Sequence, residues 1–305
     1  MQQFLADKNI ILGGIEAGGT KFDCVVANSQ GDILKRQQIP TQSPDETLAK
    51  SRAFFERAGA EHGEIAALGI GSFGPLELNK KSATYGSIKQ TPKPHWSDVN
   101  LIGYFKRTLN VPIGLETDVN AAALGEGRIG AAQGCSHYAY VTVGTGIGVG
   151  VVTDGKLIQG INHPELGHLL IARHPQDDQH ISSCPFHHSC VEGLASGSSL
   201  NLRFNKGIEK LREDHLLWDI EAHYIAVLCV NITQMFGPQK IILGGGVMQQ
   251  THLIPKIRKE FLRLINGYAH ESVLQDVANY IVPPGLNGLS GVVGSLQLAA
   301  EALIA

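Results

Sequence analysis

The chain has 305 residues, of which 43% are hydrophobic and 17% charged, and its formal net charge is −3. That length allows two domains of ordinary size, and the balance is that of a folded globular protein. A near-neutral chain with no long basic run excludes nucleic acid and acidic membrane surfaces as expected partners. No apolar run approaches the roughly 20 residues that span a bilayer. The opening stretch carries Asp7 and Lys8 where a signal peptide would be apolar, so the expected address is the cytoplasm. Five cysteines are too few for a disulfide scaffold, and an odd count suits a reducing compartment.

In chain order, residues 10–35 predict a strand, a glycine-rich turn, a second strand, a polar turn at Asn28-Ser29-Gln30-Gly31-Asp32 and a third strand. Pro44 to Ala60 predicts a helix with Asp45 and Glu46 near its start. Ile65 to Ile70 reads as a short buried strand, Val99 to Leu109 as a helix and Pro112 to Leu115 as a strand. Asp118 to Gly127 is Ala-rich and helical, with an acidic residue at the expected N-cap. Tyr138 to Val152 then repeats the hairpin of the first segment around Gly144-Thr145-Gly146-Ile147-Gly148. From Leu194 the chain turns helical, with a long apolar helix over Asp219–Phe236, a strand over Lys240–Leu243, an amphipathic helix over Ile254–Ile265, a break at Val282-Pro283-Pro284-Gly285 and a closing helix from Ser290. Strands alternating with helices, and one hairpin pattern occurring twice, predict a duplicated α/β fold.

Backbone N–H groups on glycine turns can approach phosphate oxygens closely. Gly18-Gly19-Thr20-Lys21 and Gly144-Thr145-Gly146 each pair such a turn with a threonine, and together they suit two hairpins on one nucleotide. The P-loop pattern is absent. Gly69, Gly71 and Gly74 spell GxGxxG, but Pro75 follows and no helix opens there, which argues against a dinucleotide site. Phosphoryl transfer to an alcohol needs a base at the hydroxyl, and Asp118, at a strand-to-helix junction, is the candidate; the alternative is a simple helix cap. Downstream, HPELGH and CPFHHSC bring thiols and imidazoles into the spacing of tetrahedral zinc. The expected ligands are His168, Cys184, His187 and Cys190, with His174 and His188 as spare candidates and a metal-free thiol pair as the alternative. Four protein ligands make such a zinc structural.

These segments resemble the ROK family of sugar kinases and sugar-responsive repressors, and above all its fructokinase branch. The resemblance rests on GIEAGGTKF, GIGSFGPLEL, ETDVNAAALGE, VTVGTGIGVGVV, HPELGH, CPFHHSCVEGLASG, IILGGGV and VPPGLNGLSGVVGS, in that order from Gly13 onwards. It implies a two-lobed, actin/hexokinase-like fold, a duplicated ribonuclease H-like architecture with the active site in the cleft. The lobes would be 1–117 with 290–305, and 118–289. It implies that Asp118 is the catalytic base on a sugar 6-hydroxyl. ATP phosphates would lie on Glu16, Gly18, Gly19, Thr20 and Lys21 and on Gly144, Thr145 and Gly146, with the adenosine by Gly244 and Gly245. Sugar hydroxyls would meet Gly71, Gly74, Thr117, Glu165, His168 and Glu192. The implied cofactors are Mg²⁺ with ATP and a structural zinc, whose ligand His168 also reads the sugar. A homodimer is the family expectation.

Three departures point from glucose towards fructose: Glu16 for the usual Asp, Thr117-Asp118 for Asn-Asp, and Cys-x-x-His-x-x-Cys for the usual zinc segment. The alternatives are a glucose, mannose or N-acetylhexosamine kinase, a sugar-responsive repressor and a silent sugar-binding protein. A repressor would need a DNA-binding domain, and only 13 residues precede Gly14. A silent protein is at odds with Asp118 and both hairpins.

Overall fold

The computed structural model describes residues 4–5, 9–204 and 210–305; Asp7 and Lys8 lie outside the described residues. The chain forms two compact units. The first runs through Gln133 and adds Gln159–His163 and Gly285–Ala305; the second comprises Gly134–Ile158 and Pro164–Pro284. The boundary therefore falls after the Ala-rich helix, not before it at Asp118, because that helix packs on the C-terminal helix. The proline break at 282–285 does coincide with a crossing between units.

In the first unit, β1 (Ile11–Ala17), β2 (Lys21–Asn28) and β3 (Ile33–Pro40) are followed by α1 (Pro44–His62), β4 (Ala67–Ser72), α2 (Leu101–Leu109), β5 (Ile113–Thr117) and α3 (Asp118–Ile129). The sheet order is β3-β2-β1-β4-β5, antiparallel from β3 to β1 and parallel from β1 to β5. Local chemistry sets the helix ends: Ser43 caps α1 through the Glu46 N–H, Pro44 opens it, and Gly63 at φ +99° ends it. Phe54, Phe55 and Leu48 of α1 pack into a core with Phe22, Ile39 and the fully buried Trp96, whose indole N–H donates to Gln42 O at 2.9 Å.

The closing helix α10 (Ser290–Ile304) lies directly on this sheet. Gly14, Gly69 and Gly114 stand side by side on β1, β4 and β5. A Cβ on Gly69 would overlap the Ser295 carbonyl, one on Gly114 the Leu298 carbonyl, and one on Gly14 the Ser295 hydroxyl. Gly69 thus serves helix-on-sheet packing, which disposes of the dinucleotide pattern on physical grounds.

The second unit holds β6 (Tyr138–Val143), β7 (Ile147–Thr153), β8 (Lys156–Leu157), α4 (Val191–Ala195), α5 (Gly197–Phe204), α6 (Leu216–Phe236), β9 (Lys240–Gly244), α7 (Leu253–Ile265), α8 (Glu271–Gln275), α9 (Val277–Tyr280) and β10 (Ile281–Val282). Its order is β8-β7-β6-β9-β10, again antiparallel for the first three strands and parallel for the last three. β6 to β10 therefore repeat β1 to β5 in order and sense, as the repeated hairpin predicts. Unlike the expectation, one helix among the described residues, α6, is long and apolar enough to cross a membrane by length and composition. Its Trp218, Tyr224, Ile225 and Leu228 are fully buried in the core of this unit, which is why it is so apolar.

Candidate active site

The first hairpin turn joins β1 to β2. Gly18 N–H donates to Lys21 O at 2.9 Å, and the Thr41 hydroxyl donates to Gly18 O at 2.7 Å. Gly19, Thr20 and Lys21 are exposed, and a side chain on Gly19 would meet nothing within 4 Å. Backbone N–H groups here are open to an approaching oxyanion. Glu16, on β1 just before this turn, sets its carboxyl against Gly291 of α10, where a side chain would overlap it. Burial, then the charges of Asp118 and Asp23, push Glu16 up to about 7. Its neighbour Asp23 is held below the ordinary carboxylate range: burial acts the other way, but Arg36 donates to it at 2.8 and 2.7 Å and Gln38 at 2.9 Å.

Asp118 is the first residue of α3. The cap is Thr117, whose buried Oγ accepts from Asn120 N at 3.2 Å, so the simple-cap alternative for Asp118 is not what the structure holds. One Asp118 oxygen, Oδ1, accepts from Val119 N at 2.8 Å. Gly71 on β4 makes room for this helix start, since a Cβ there would overlap Ala121 and lie 3.6 Å from the Asp118 Cα. Gly74 precedes a cis peptide to Pro75 in the loop after β4. Glu16, the first hairpin, Gly71, Gly74, Thr117 and Asp118 all belong to the first unit.

The second unit carries the other candidates. Gly144 N–H donates to Gly146 O at 2.9 Å, closing the turn between β6 and β7, and Gly197 N–H and Ser198 Oγ donate to Gly144 O and Thr145 O at 2.7 and 2.8 Å. Glu192, on α4, reaches this turn: its Oε2 accepts from Ile147 N at 2.9 Å, and Gly146 leaves the space its carboxylate fills. Its Oε1 stands 3.8 Å from Nε2 of His168. Exposed Glu165 opens the 3₁₀ turn Leu166–His168. Gly244 packs on Tyr140, and Gly245, at φ +94°, on the Val143 backbone, so both glycines serve close strand packing whatever else they do. A cavity of about 1030 Å³ lined by Thr233, Tyr268, His270, Asp276 and Tyr280 lies at the opposite end of β9, and none of the candidate residues lines it.

The four expected metal ligands come together, with ligand atoms all within 4.8 Å of one another. His168 Nδ1 is 3.7 Å from Cys184 Sγ and 3.8 Å from Cys190 Sγ, and His187 Nδ1 is 3.6 Å from Cys184 Sγ. Zinc bonds of about 2.3 Å to sulfur and 2.1 Å to nitrogen, at tetrahedral angles, demand ligand separations of roughly 3.5–3.8 Å. The three His–Cys separations match that range, and the two-thiol, two-imidazole donor set suits zinc. Neither spare candidate joins this group: the His174 ring stacks edge-on against His223, and His188 is not among the clustered ligand atoms. With Nδ1 turned to the thiols, His168 presents Nε2 to Glu192.

Two residues beside Asp118 escaped the sequence reading. Glu116, at the end of β5, is buried, and its oxygens accept from Asn120 Nδ2 at 2.9 Å and from Gln159 Nε2. Burial raises its pKa, opposed by these bonds and by His163. Period-2 alternation on β5 puts Glu116 on the face opposite Thr117 and offered a weak signal. Nothing local marks Gln159.

Two sheets of one topology, each opening on a glycine hairpin, one with an aspartate at a helix start and the other with a carboxylate–histidine pair backed by thiols, define the duplicated α/β class of sugar phosphotransferases. The ROK family model matches residues 12–302. A fructokinase of Pediococcus pentosaceus is 44% identical, covering 96% of this chain and 99% of its own. A fructokinase of Streptococcus mutans is 42% identical, over 95% and 98%. The crystal structure of a ROK hexokinase from Thermus thermophilus superposes with a TM-score of 0.79 at 26% identity, covering 97% and 99%. The chain belongs to the ROK family.

Proposed function

We propose that this protein is an ATP-dependent fructokinase, which transfers the γ-phosphoryl group of ATP to the 6-hydroxyl of D-fructose. The observation that carries the reading is the aspartate at the start of α3, beside an open glycine hairpin, in a chain more than 40% identical to fructokinases over nearly its whole length.

The residues divide the work as follows. The backbone of Gly19 and Thr20, on the turn that Gly18 closes, and the Lys21 ammonium bind phosphate oxygens, as does the backbone of Thr145 and Gly146 on the turn that Gly144 closes. Gly244 and Gly245 border the adenosine. Glu165, His168 and Glu192 orient sugar hydroxyls, together with the Gly71–Gly74 loop and the hydroxyl of Thr117, which can still donate its own hydrogen while capping α3. Asp118 accepts the 6-hydroxyl proton at a carboxylate oxygen as the sugar oxygen attacks phosphorus. Mg²⁺, when bound with ATP, would supply charge neutralisation on the phosphates, and Glu16 is the carboxyl that would hold it. Zinc on His168, Cys184, His187 and Cys190 is structural and fixes the ring that reads the sugar. The same reading makes the protein a cytoplasmic homodimer without nucleic-acid or membrane partners.

ADP release with Mg-ATP is the test, comparing fructose, mannose, glucose and N-acetylmannosamine. The highest kcat/KM is expected with fructose. A higher value with another hexose overturns the substrate assignment, and no release with any sugar overturns the enzyme.

A further inference from the structure

Five residues, Gln159 to His163, pack with the first unit, although the chain before and after them belongs to the second. Gln159, Gly160, Ile161 and Asn162 are exposed, Ile161 almost completely at 97%, and the segment turns on a Gly160 N–H to Asn162 O bond of 3.1 Å. Such a strap has little apolar burial to hold it. Its ties to Glu116 are polar: the Gln159 side-chain amide donates to Glu116 Oε1, and His163 acts on the same carboxyl through its charge. The acceptor is well anchored. Glu116 sits on β5 beside Gly71 of β4, is only 7% exposed, and its other oxygen is taken by Asn120 Nδ2 at 2.9 Å. It is also two residues before Asp118 and next to Thr117, so the strap is tied to the segment that carries the proposed base and a proposed sugar contact. A buried carboxylate oxygen left without a donor is unfavourable, so Glu116 favours the strap in this position.

We propose that Gln159 is a positioning residue for the sugar, holding the strap 159–163 to Glu116 and thereby setting the sugar side of the site around Thr117 and Asp118. Nothing in the resemblance to sugar kinases assigns a role to Gln159 or to Glu116. The idea rests on the fructokinase reading but is separable from it. Gln159 is exposed, so its replacement threatens sugar binding more than folding.

The experiment uses the metal-loaded full chain with fructose and ATP varied separately. Gln159→Ala is expected to raise KM for fructose about 10-fold or more, the effect of losing a hydrogen bond to a charged group. Its kcat should stay within about threefold, and KM for ATP should not move. Gln159→Glu sets two carboxylates against each other and should be at least as poor. Adding Glu116→Gln to it reverses the pair: the amide oxygen introduced at position 116 accepts from Asn120, its amide N–H donates to the carboxylate introduced at position 159, and KM for fructose should recover to within about threefold. An unchanged fructose KM in Gln159→Ala overturns the proposal. So does a parallel loss for fructose, ATP and thermal stability, or no recovery in the double variant. Failure of the unmodified protein to phosphorylate fructose would instead defeat the fructokinase reading, and it is seen before any variant is made.

Discussion

The Glu192 carboxylate accepts the Ile147 N–H at 2.9 Å from a position that Gly146 leaves free of side chain. One side chain thus couples the second hairpin to His168, 3.8 Å from its other oxygen. Glu192→Ala removes both links and is expected to lower kcat/KM for fructose about 10²-fold; Glu192→Gln keeps one acceptor oxygen and should lose about 10-fold. Steady-state kinetics with both substrates varied checks this. Wild-type values in Glu192→Ala would remove the residue from the sugar site.

Asp118→Asn retains shape and loses the base. Its kcat is expected to fall by about 10²–10⁴ while ATP and fructose still bind, as calorimetry would read. Turnover near normal would take Asp118 out of the mechanism.

Glu16 links stability to pH. Its native pKa of about 7 lies above the ordinary value of 4.5, so the folded state holds a proton that the unfolded chain has lost between those two values. The stabilisation is therefore complete below about 4.5 and is lost as pH rises through 7. Glu16→Gln cannot ionise and should be more stable than the parent at pH 8 by on the order of 1–3 kcal/mol, and equal to it near pH 4.5. It should also turn over poorly, a trade of function against stability. Denaturant melts at both pH values test the sign; a parent that is the more stable at pH 8 contradicts it.

Zinc should be found at one ion per chain, and Cys184→Ser should abolish it. Its removal is expected to loosen residues 183–190 and spare 173–180. That second stretch has its own fastener: Arg203 donates to Asp177 at 2.9 and 2.5 Å with both side chains 6% exposed, Tyr224 donates to the same carboxylate at 2.8 Å, and Arg173 donates to His180 O at 2.6 Å. A buried pair of this kind is destabilising by several kcal/mol when one partner is lost. Hydrogen exchange before and after chelation decides the point. Equal loosening of both stretches would mean that the ion pair holds only through the metal.

Much of this protein was written locally. Strand period, turn residues and helix caps act over a few positions, so β1, β2, β6, α1, α7 and α10 lie within a few residues of where their sequence places them, and Cys184, His187 and Cys190 already show ligand spacing. The repeated hairpin even foretold the duplicated sheet. Assignment of α3 to the first unit was not legible, because its packing partner α10 begins 172 positions after Asp118, at Ser290. The row of Gly14, Gly69 and Gly114 was not legible either, since only strand register brings those three under one helix. The Glu192 bond to Ile147 and the Gln159 bond to Glu116 span 45 and 43 residues. Local periodicity carries no information about such distances; they are decided where buried polar groups must find partners once the sheets have closed.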